Sequence, residues 1–369
     1  MTAVRELTVV AEQVLAPVPG GTGRYTAELL RALAETAPEG WCVRGVVARH
    51  ADVGPAETAG VRGPRVLPVS RRVLTELWRR GLPWWPGGDA VHAPTPLAPP
   101  RAPSGRTLSV TVHDTVPWSH PETLTPRGVA WHRAAIATAA RRADAVVVPT
   151  RAVADELATH VPVTAPVHVV GHGTTAWPEA EPIAEPIAEP IAEPVGTSGP
   201  YVLAVGTVEP RKGIDVLIRA MADVPGAVLV LAGQPGWGGL DPEAIAERAG
   251  LPTDRLRVLG RVTDAQLAGL LRGAAVVAVP SLAEGFGLPV LEAMAEGVPV
   301  VHSDAPALVE VAGGAGVCVP RGDAAALASA LRGVLSGPDR ARMADAGRAR
   351  AREFTWTSAA RAVWRLHVP

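Results

Sequence analysis

Short unbroken apolar runs alternate with helical patterns through both halves of the chain. In the first half the runs cover 7–10, 42–48, 107–112, 145–148 and 167–170, with helical patterns such as 24–35 and 129–142 between some of them. In the second half they cover 201–205, 228–232, 257–259, 275–279, 298–301 and 317–319, separated by helical segments such as 214–221, 265–271 and 290–296. Strands without polar alternation belong to parallel sheets covered by helices on both faces. The pattern therefore predicts two doubly wound, Rossmann-like α/β domains. Ligands of such sheets bind beyond the carboxyl ends of the strands, and with two domains the expected site is the cleft between them.

The two domains meet at a repeat. Residues 181–194 read EPIAEPIAEPIAEP. Proline at every fourth position removes backbone donors and clashes with a helix, so an extended, partly polyproline-like linker is expected. The division is then 1–177 for an acceptor-binding domain, 178–199 for the linker, 200–352 for a donor-binding domain and 353–369 for a tail.

Composition excludes several classes. The 369 residues suffice for about two domains, and 47% hydrophobic with 19% charged residues argues for packed cores. A net charge of −1 without a basic run argues against a nucleic-acid partner. Cys42 and Cys318 are too few and too far apart for a disulfide framework or a cysteine zinc site. No secretory leader and no apolar stretch of spanning length is visible, so a cytoplasmic protein is expected. The segment Leu77–Pro86 mixes tryptophan with arginine; a surface loop whose tryptophans pack on the domain is the favoured reading, and peripheral membrane contact the alternative.

Five segments carry candidate chemistry. The first runs from Ala283 to Glu292. Here a loop with Gly285 and Gly287 follows a buried strand, Pro289 is expected as first helical residue, and Gly297 as the helix stop. Bare N–H groups of Gly285, Phe286, Gly287 and Leu288 and a helix N-terminus make an anion site. Glu284 on the loop and Glu292, expected in the first helical turn, suit hydroxyl groups of sugars or riboses; the alternative for Glu292 is a residue that offsets the helix dipole. The second segment is 205–213, with Thr207, Arg211 and Lys212 directly after a strand, where adjacent cations suit a diphosphate. Of 35 Lys+Arg residues, Lys212 is the only lysine. Lysine is a compact point charge and arginine a planar fork, so an exception to so strong a bias points to a local need for an ammonium.

The other three signals are weaker alone. Gly20 and Gly21 sit in a glycine-rich turn before Arg24 and Tyr25, between the first strand and the first helix. His113 and Asp114 end an apolar strand, where they can hydrogen-bond a substrate or simply be a satisfied histidine and a turn cap. Thr150 with Arg151 after the strand 145–148 is a helix N-cap or a site residue.

Taken together, these segments resemble the family-4 retaining glycosyltransferases of the GT-B fold. The G-G-x-G-R-Y loop, the H-D pair, G-T-x-E-P-R-K-G and the E-x7-E from Glu284 to Glu292 occur in the family's order across nearly the whole chain. Val112-His113-Asp114 followed by Pro121-Glu122 is most similar to the mannosyltransferase-like branch. The resemblance implies that the C-terminal domain binds a nucleotide-diphosphate sugar. Lys212 and Arg211 would hold the diphosphate, Glu292 the ribose, and Glu284 the donor sugar. Gly287 and Leu288 would offer N–H groups, Gly20 and Gly21 would approach the diphosphate, and His113 would contact the sugar near the reacting carbon. Arg24, Tyr25, Asp114 and Thr150 are acceptor-side candidates. It further implies retention of configuration, no metal and no cofactor, and a glycan, lipid-linked or small-molecule acceptor. The tail from Phe354 resembles a final helix that crosses back to the N-terminal domain.

Two features depart from the family. Thr207 stands where many relatives carry Arg or another long polar residue, so that either one phosphate contact is missing or Arg211 supplies it, and the E-P-I-A repeat is not a family trait. Alternatives of the same fold are a nucleotide-sugar epimerase or a phosphorylase; a non-catalytic nucleotide-sugar-binding partner subunit is the alternative of another class.

Overall fold

The computed structural model describes residues 4–180 and 199–368; the Glu-Pro-Ile-Ala repeat lies outside the described residues. The chain divides into two compact units. The first holds residues up to Gly173 together with the tail from Phe354, and the second holds Thr174–Glu353. The expected first domain reached 177, but 174–180 group with the second unit, where Arg272 donates to the Pro178 carbonyl at 3.4 Å.

The first unit is built on a parallel seven-stranded sheet. Its strands are β1 (Arg5–Val10), β2 (Trp41–Val47), β3 (Arg62–Val66), β4 (Ala90–Ala93), β5 (Thr107–Thr111), β6 (Ala145–Val148) and β7 (Val167–Val169), in the order β3-β2-β1-β4-β5-β6-β7. Apolar runs pointed to five of these. β3 was hidden because it is a polar edge strand, and β4 because it spans four residues, one of them His92. The second unit has a parallel six-stranded sheet of β8 (Tyr201–Val205), β9 (Val228–Ala232), β10 (Leu256–Gly260), β11 (Val276–Val279), β12 (Val300–Ser303) and β13 (Val317–Val319), ordered β10-β9-β8-β11-β12-β13. Strand order reverses between β1 and β4 in one sheet and between β8 and β11 in the other. Such reversals splay the following loops apart and open a crevice for ligands.

The tail closes the first unit. Its helix Trp356–Trp364 packs on the helix Gly20–Glu35, and Trp364 donates its indole N–H to the Leu33 carbonyl at 3.1 Å. Trp356, Ala360, Val363 and Trp364 share one core with Leu7, Tyr25, Leu29 and Leu33. Gly173 makes this approach feasible: a Cβ there would lie 2.2 Å from the Trp356 nitrogen.

Two helix starts differ from expectation. The glycines at 20–23 are not a turn before the first helix but its first turn, because the Gly23 N–H already donates to Pro19 at 2.8 Å. The helix after β11 begins at Leu288, with Gly287 in the left-handed region as its cap and Pro289 second. Glu292 is therefore the fifth residue and lies beyond the first turn, too far along to act as a dipole partner at the N-terminus. Gly297 follows the helix at φ 73°, and the N–H groups of Gly297 and Val298 close onto Met294 and Ala293 as a Schellman stop.

Candidate functional site

At the β8/β11 reversal the two motif loops of the second unit meet. The loop after β8 passes Gly206, where φ is 140°, and half-buried Thr207, then tightens into a turn of 3₁₀ helix at Pro210–Lys212. Gly213 follows in the left-handed conformation and leads into the helix Ile214–Ala222. A side chain at 213 would strike the Pro280 carbonyl at 2.3 Å, so glycine lets this loop lie against the end of β11. Arg211 and the next loop then lock together, with Leu282 N–H donating to the Arg211 carbonyl at 2.7 Å.

The charges of the two loops are joined. Lys212 Nζ lies 2.6 Å from Glu284 Oε1, which also accepts from the Ser281 hydroxyl at 2.7 Å. Arg211 is braced by Glu209 at 2.6 Å and the Ala283 carbonyl at 2.8 Å, and reaches Glu284 Oε2 at 3.5 Å. Burial alone would raise the Glu284 carboxyl; the Lys212 and Arg211 cations and the two donated hydrogen bonds hold it below its ordinary value instead. The two cations thus differ. Arg211 is held by Glu209, Ala283 and Glu284, whereas Lys212 spends one of its three N–H donors on Glu284.

The helix Leu288–Ala295 completes this group. Gly287 has φ 95°, and a Cβ there would strike Leu308 at 2.4 Å, so the loop needs glycine on both counts. Pro289 has no N–H to bond, and the Val290 N–H donates to the Gly287 carbonyl at 2.9 Å. Gly285, Phe286, Leu288 and Glu292 are all buried.

The first unit holds the other candidates. Exposed Gly20 and Gly21 form the tip of their helix. His113, two residues beyond β5, donates from Nε2 to the Pro94 carbonyl at 2.7 Å. With that proton placed, a neutral ring leaves Nδ1 as an acceptor. Burial pushes its pKa down, opposed by the Pro94 carbonyl and Asp114. His113 and Asp114 line a cavity of about 240 Å³ with Thr22, Arg71, Trp131 and His132.

Two acceptor-side candidates are corrected. Tyr25 is 1% exposed, packs edge-on to His113 at 4.7 Å and lies 3.2 Å from the Thr111 hydroxyl. It turns inward because its helix buries that face against the sheet, and its phenol is pushed up to about 12 by burial, against the Thr111 hydrogen bond. Thr150 is 1% exposed and caps the helix Arg151–His160 by accepting from Val153 N–H at 3.2 Å. Asp114 takes the turn-cap role, accepting from Val116 N–H at 3.1 Å, yet stays half-buried at the cavity wall. Arg24 lies half-buried in the first unit's first helix.

Comparison with known proteins settles the family. Residues 19–175 match the family described as Glycosyltransferase Family 4, and residues 199–337 that described as Glycosyl transferases group 1. The chain belongs to the family-4 glycosyltransferases of the GT-B fold. Among curated proteins, the O-antigen chain mannosyltransferase B of Escherichia coli is 38% identical over 162 residues, 42% of each chain. The phosphatidyl-myo-inositol mannosyltransferase of Mycobacterium leprae is 37% identical over 178 residues, 46% of each. The match thus spans under half the length of these relatives. Among solved structures, sucrose-phosphate synthase from Thermosynechococcus elongatus aligns over 98% of both chains with a TM-score of 0.73 at 24% identity, a likeness of fold.

Part of the first unit's site is not marked by any motif. Arg71, Trp131 and His132 reach the His113 cavity from the helices Arg71–Arg79 and Pro126–Arg142, away from His113 in sequence. Glu12 is unmarked too: 2% exposed at the end of β1, it accepts from Ala48 N–H at 2.8 Å and lies 2.7 Å from His50. The tryptophans of Leu77–Pro86 pack inward, with the Trp78 indole donating to Trp84 at 2.9 Å and that of Trp85 to Gly88 at 3.0 Å. No helix among the described residues is long and apolar enough to cross a membrane.

Proposed function

We propose that this protein transfers a hexose from a nucleoside-diphosphate sugar to a hydroxyl acceptor, without a metal and with retention of the anomeric configuration. The observation that carries the reading is the Lys212–Glu284 ion pair beside the helix start at Leu288. An ammonium and the positive end of a helix suit a leaving diphosphate. Glu284 and Glu292 suit the hydroxyls of the sugar and ribose, which neighbouring cations alone would not select. In the reaction the bond from C1 to the diphosphate oxygen breaks and the acceptor oxygen bonds C1 on the same face. The acceptor's proton passes to the departing phosphate, so no protein base is required. His113 presents its Nδ1 acceptor to the sugar and Lys212 offsets the phosphate charge. Mannose is the first donor sugar to try, given the names of two relatives.

The acceptor side has a charge signature. A groove of about 930 Å³ runs between the helices Arg71–Arg79 and Pro126–Arg142, lined by Arg71, Arg72, Arg79 and Arg127 and by Glu76, which is paired with Arg79. It shares Arg71, Trp131 and His132 with the His113 cavity. This supports an acceptor bearing an anionic group, lipid-linked or soluble. The phosphorylase alternative would need a lysine for a cofactor Schiff base, and the sole lysine, Lys212, lies in the loop after β8, the wrong kind of loop for it.

The test is incubation with GDP-mannose, UDP-glucose and related donors, followed by NMR of the released sugar. Release of α-sugar from an α-linked donor is expected. No turnover and no binding of any donor would overturn the reading.

A further inference from the structure

One face of β5 is polar although the strand is buried. Thr107, Ser109, Thr111 and His113 alternate along it, with Leu108, Val110 and Val112 between them on the other face. Successive residues of a strand point to opposite faces, so the four polar side chains form one row. Their partners come from β4 and from the far end of the chain. His92 pairs with Ser109 across the sheet, Nδ1 to Oγ at 2.8 Å. His367 of the tail lies above, its Nε2 2.7 Å from the same Ser109 hydroxyl and its Nδ1 2.7 Å from the Thr107 hydroxyl. His92 Nε2 is 3.4 Å from Thr111 Oγ1, which is 3.2 Å from Tyr25 Oη.

The proton count of this row runs one way only. Burial holds His92 down to about 3 and His367 down to about 4, so each ring is neutral and carries one N–H. Among the described residues Thr111 is the one protein group within hydrogen-bond reach of the Tyr25 hydroxyl. The buried phenol must therefore donate to Thr111, because a buried unpaired donor is costly. Thr111 then donates to His92 Nε2, His92 Nδ1–H to Ser109, Ser109 to His367 Nε2, and His367 Nδ1–H to Thr107. Every buried proton has an acceptor, and the chain ends at Thr107, whose half-buried hydroxyl faces the start of the strand. The opposite sense would leave the Tyr25 proton without a partner.

We infer that His367, Ser109 and His92 form a hydrogen-bonded relay that lets the C-terminal tail position His113. The His113 ring also meets His172 edge-on at 5.6 Å, but two of its supports lead back to the relay. Tyr25 packs edge-on against it, and the Pro94 carbonyl that accepts from Nε2 lies two residues after His92 on β4. The three are positioning residues for the transfer proposed above, and their catalytic role rests on that reading. The order of the protons does not.

The experiment has two arms on the full-length chain. In the first, ¹⁵N-imidazole NMR reads the tautomers of His92 and His367. Both are expected as neutral Nδ1–H forms; Nε2–H forms or imidazolium at pH 7 would overturn the relay. In the second, donor and acceptor kinetics compare His367→Leu, His367→Gln and Ser109→Ala with the parent. Glutamine can still accept from Ser109 and donate to Thr107. The expected result is a fall in kcat of about tenfold for His367→Leu and Ser109→Ala, with KM for the donor unchanged and His367→Gln near the parent. Unchanged kcat in folded Ser109→Ala, or equal losses in the leucine and glutamine variants, would overturn the positioning role. An inactive parent with Nδ1–H tautomers would instead sink the transferase reading and leave the relay standing.

Discussion

Lys212 Nζ and Glu284 Oε1 are 2.6 Å apart, although 72 residues separate them in sequence. The pair joins the loops that follow β8 and β11, the two strands at which the order of the second sheet reverses. One contact thereby fixes a cation and a carboxylate side by side at the end of the sheet.

Replacing Lys212 should harm activity far more than folding. Lys212→Ala is expected to lower turnover by about 10²–10³-fold, the scale of losing one preorganised donor to developing charge. Stability should fall by only about 1–3 kcal/mol, since Arg211 and Ser281 still serve Glu284. Lys212→Arg should not restore the rate, because a planar fork does not replace a point charge. Steady-state kinetics beside urea unfolding gives both numbers.

Acid should destabilise the first unit in a defined window. His92 and His367 are pushed to about 3 and about 4 by burial, below the ordinary 6.5. The unfolded chain binds protons at these sites first, so stability is full above about pH 6.5 and declines as pH falls toward the folded values. Each ring contributes a slope of about 1.4 kcal/mol per pH unit inside that window. Urea unfolding at pH 6.5, 5.5 and 4.5 should show His367→Gln with a slope shallower by about one proton; an unchanged slope would contradict the buried neutral ring.

Glu284 predicts a second acid effect, at lower pH. Its folded carboxyl lies below the ordinary 4.5, so its contribution is present above that value and is lost as pH falls through the folded one. The stability gap between parent and Glu284→Gln should therefore be open at pH 6 and close under acid. A gap that widens under acid would reverse the sign.

Gly173→Ala should loosen the tail. The added methyl meets Trp356 backbone and ring, with backbone as the nearest atom, so no side-chain rotation relieves it. A loss of about 3 kcal/mol is expected, the upper end for overpacking, or about 8 °C in Tm for a unit of this size. Calorimetry decides.

The arginine groove predicts a split between donor and acceptor kinetics. Exchanging the exposed Arg72 and Arg127 for glutamate should raise KM for an anionic acceptor while donor hydrolysis stays unchanged. Equal effects on both would remove the groove from the acceptor path.

Much of this was legible in the sequence, for identifiable reasons. All strands but β3 and β4 announce themselves because burial on two faces demands unbroken apolar runs, as at Val276–Val279. The Lys212 and Glu284 loops were visible because glycine, proline and charge cluster in a few consecutive residues. Tyr25 was named with the acceptor side because it follows the glycine-rich segment, whereas its helix turns that face into the core. The polar row of β5 was open to inspection as T-x-S-x-T-x-H, yet the intervening Leu108, Val110 and Val112 made the segment pass for an apolar strand. The partner of that row, His367, lies 258 residues from Ser109, and no local pattern joins them.

The most direct test of the central claim is a titration of the full-length protein and of Lys212→Ala with GDP, UDP and the corresponding nucleosides. The diphosphate of the cognate base should bind the parent at least about tenfold more tightly than its nucleoside, and most of that difference should vanish in Lys212→Ala. Equal affinity of parent and variant for the diphosphate would contradict the assignment of Lys212, and with it the donor site.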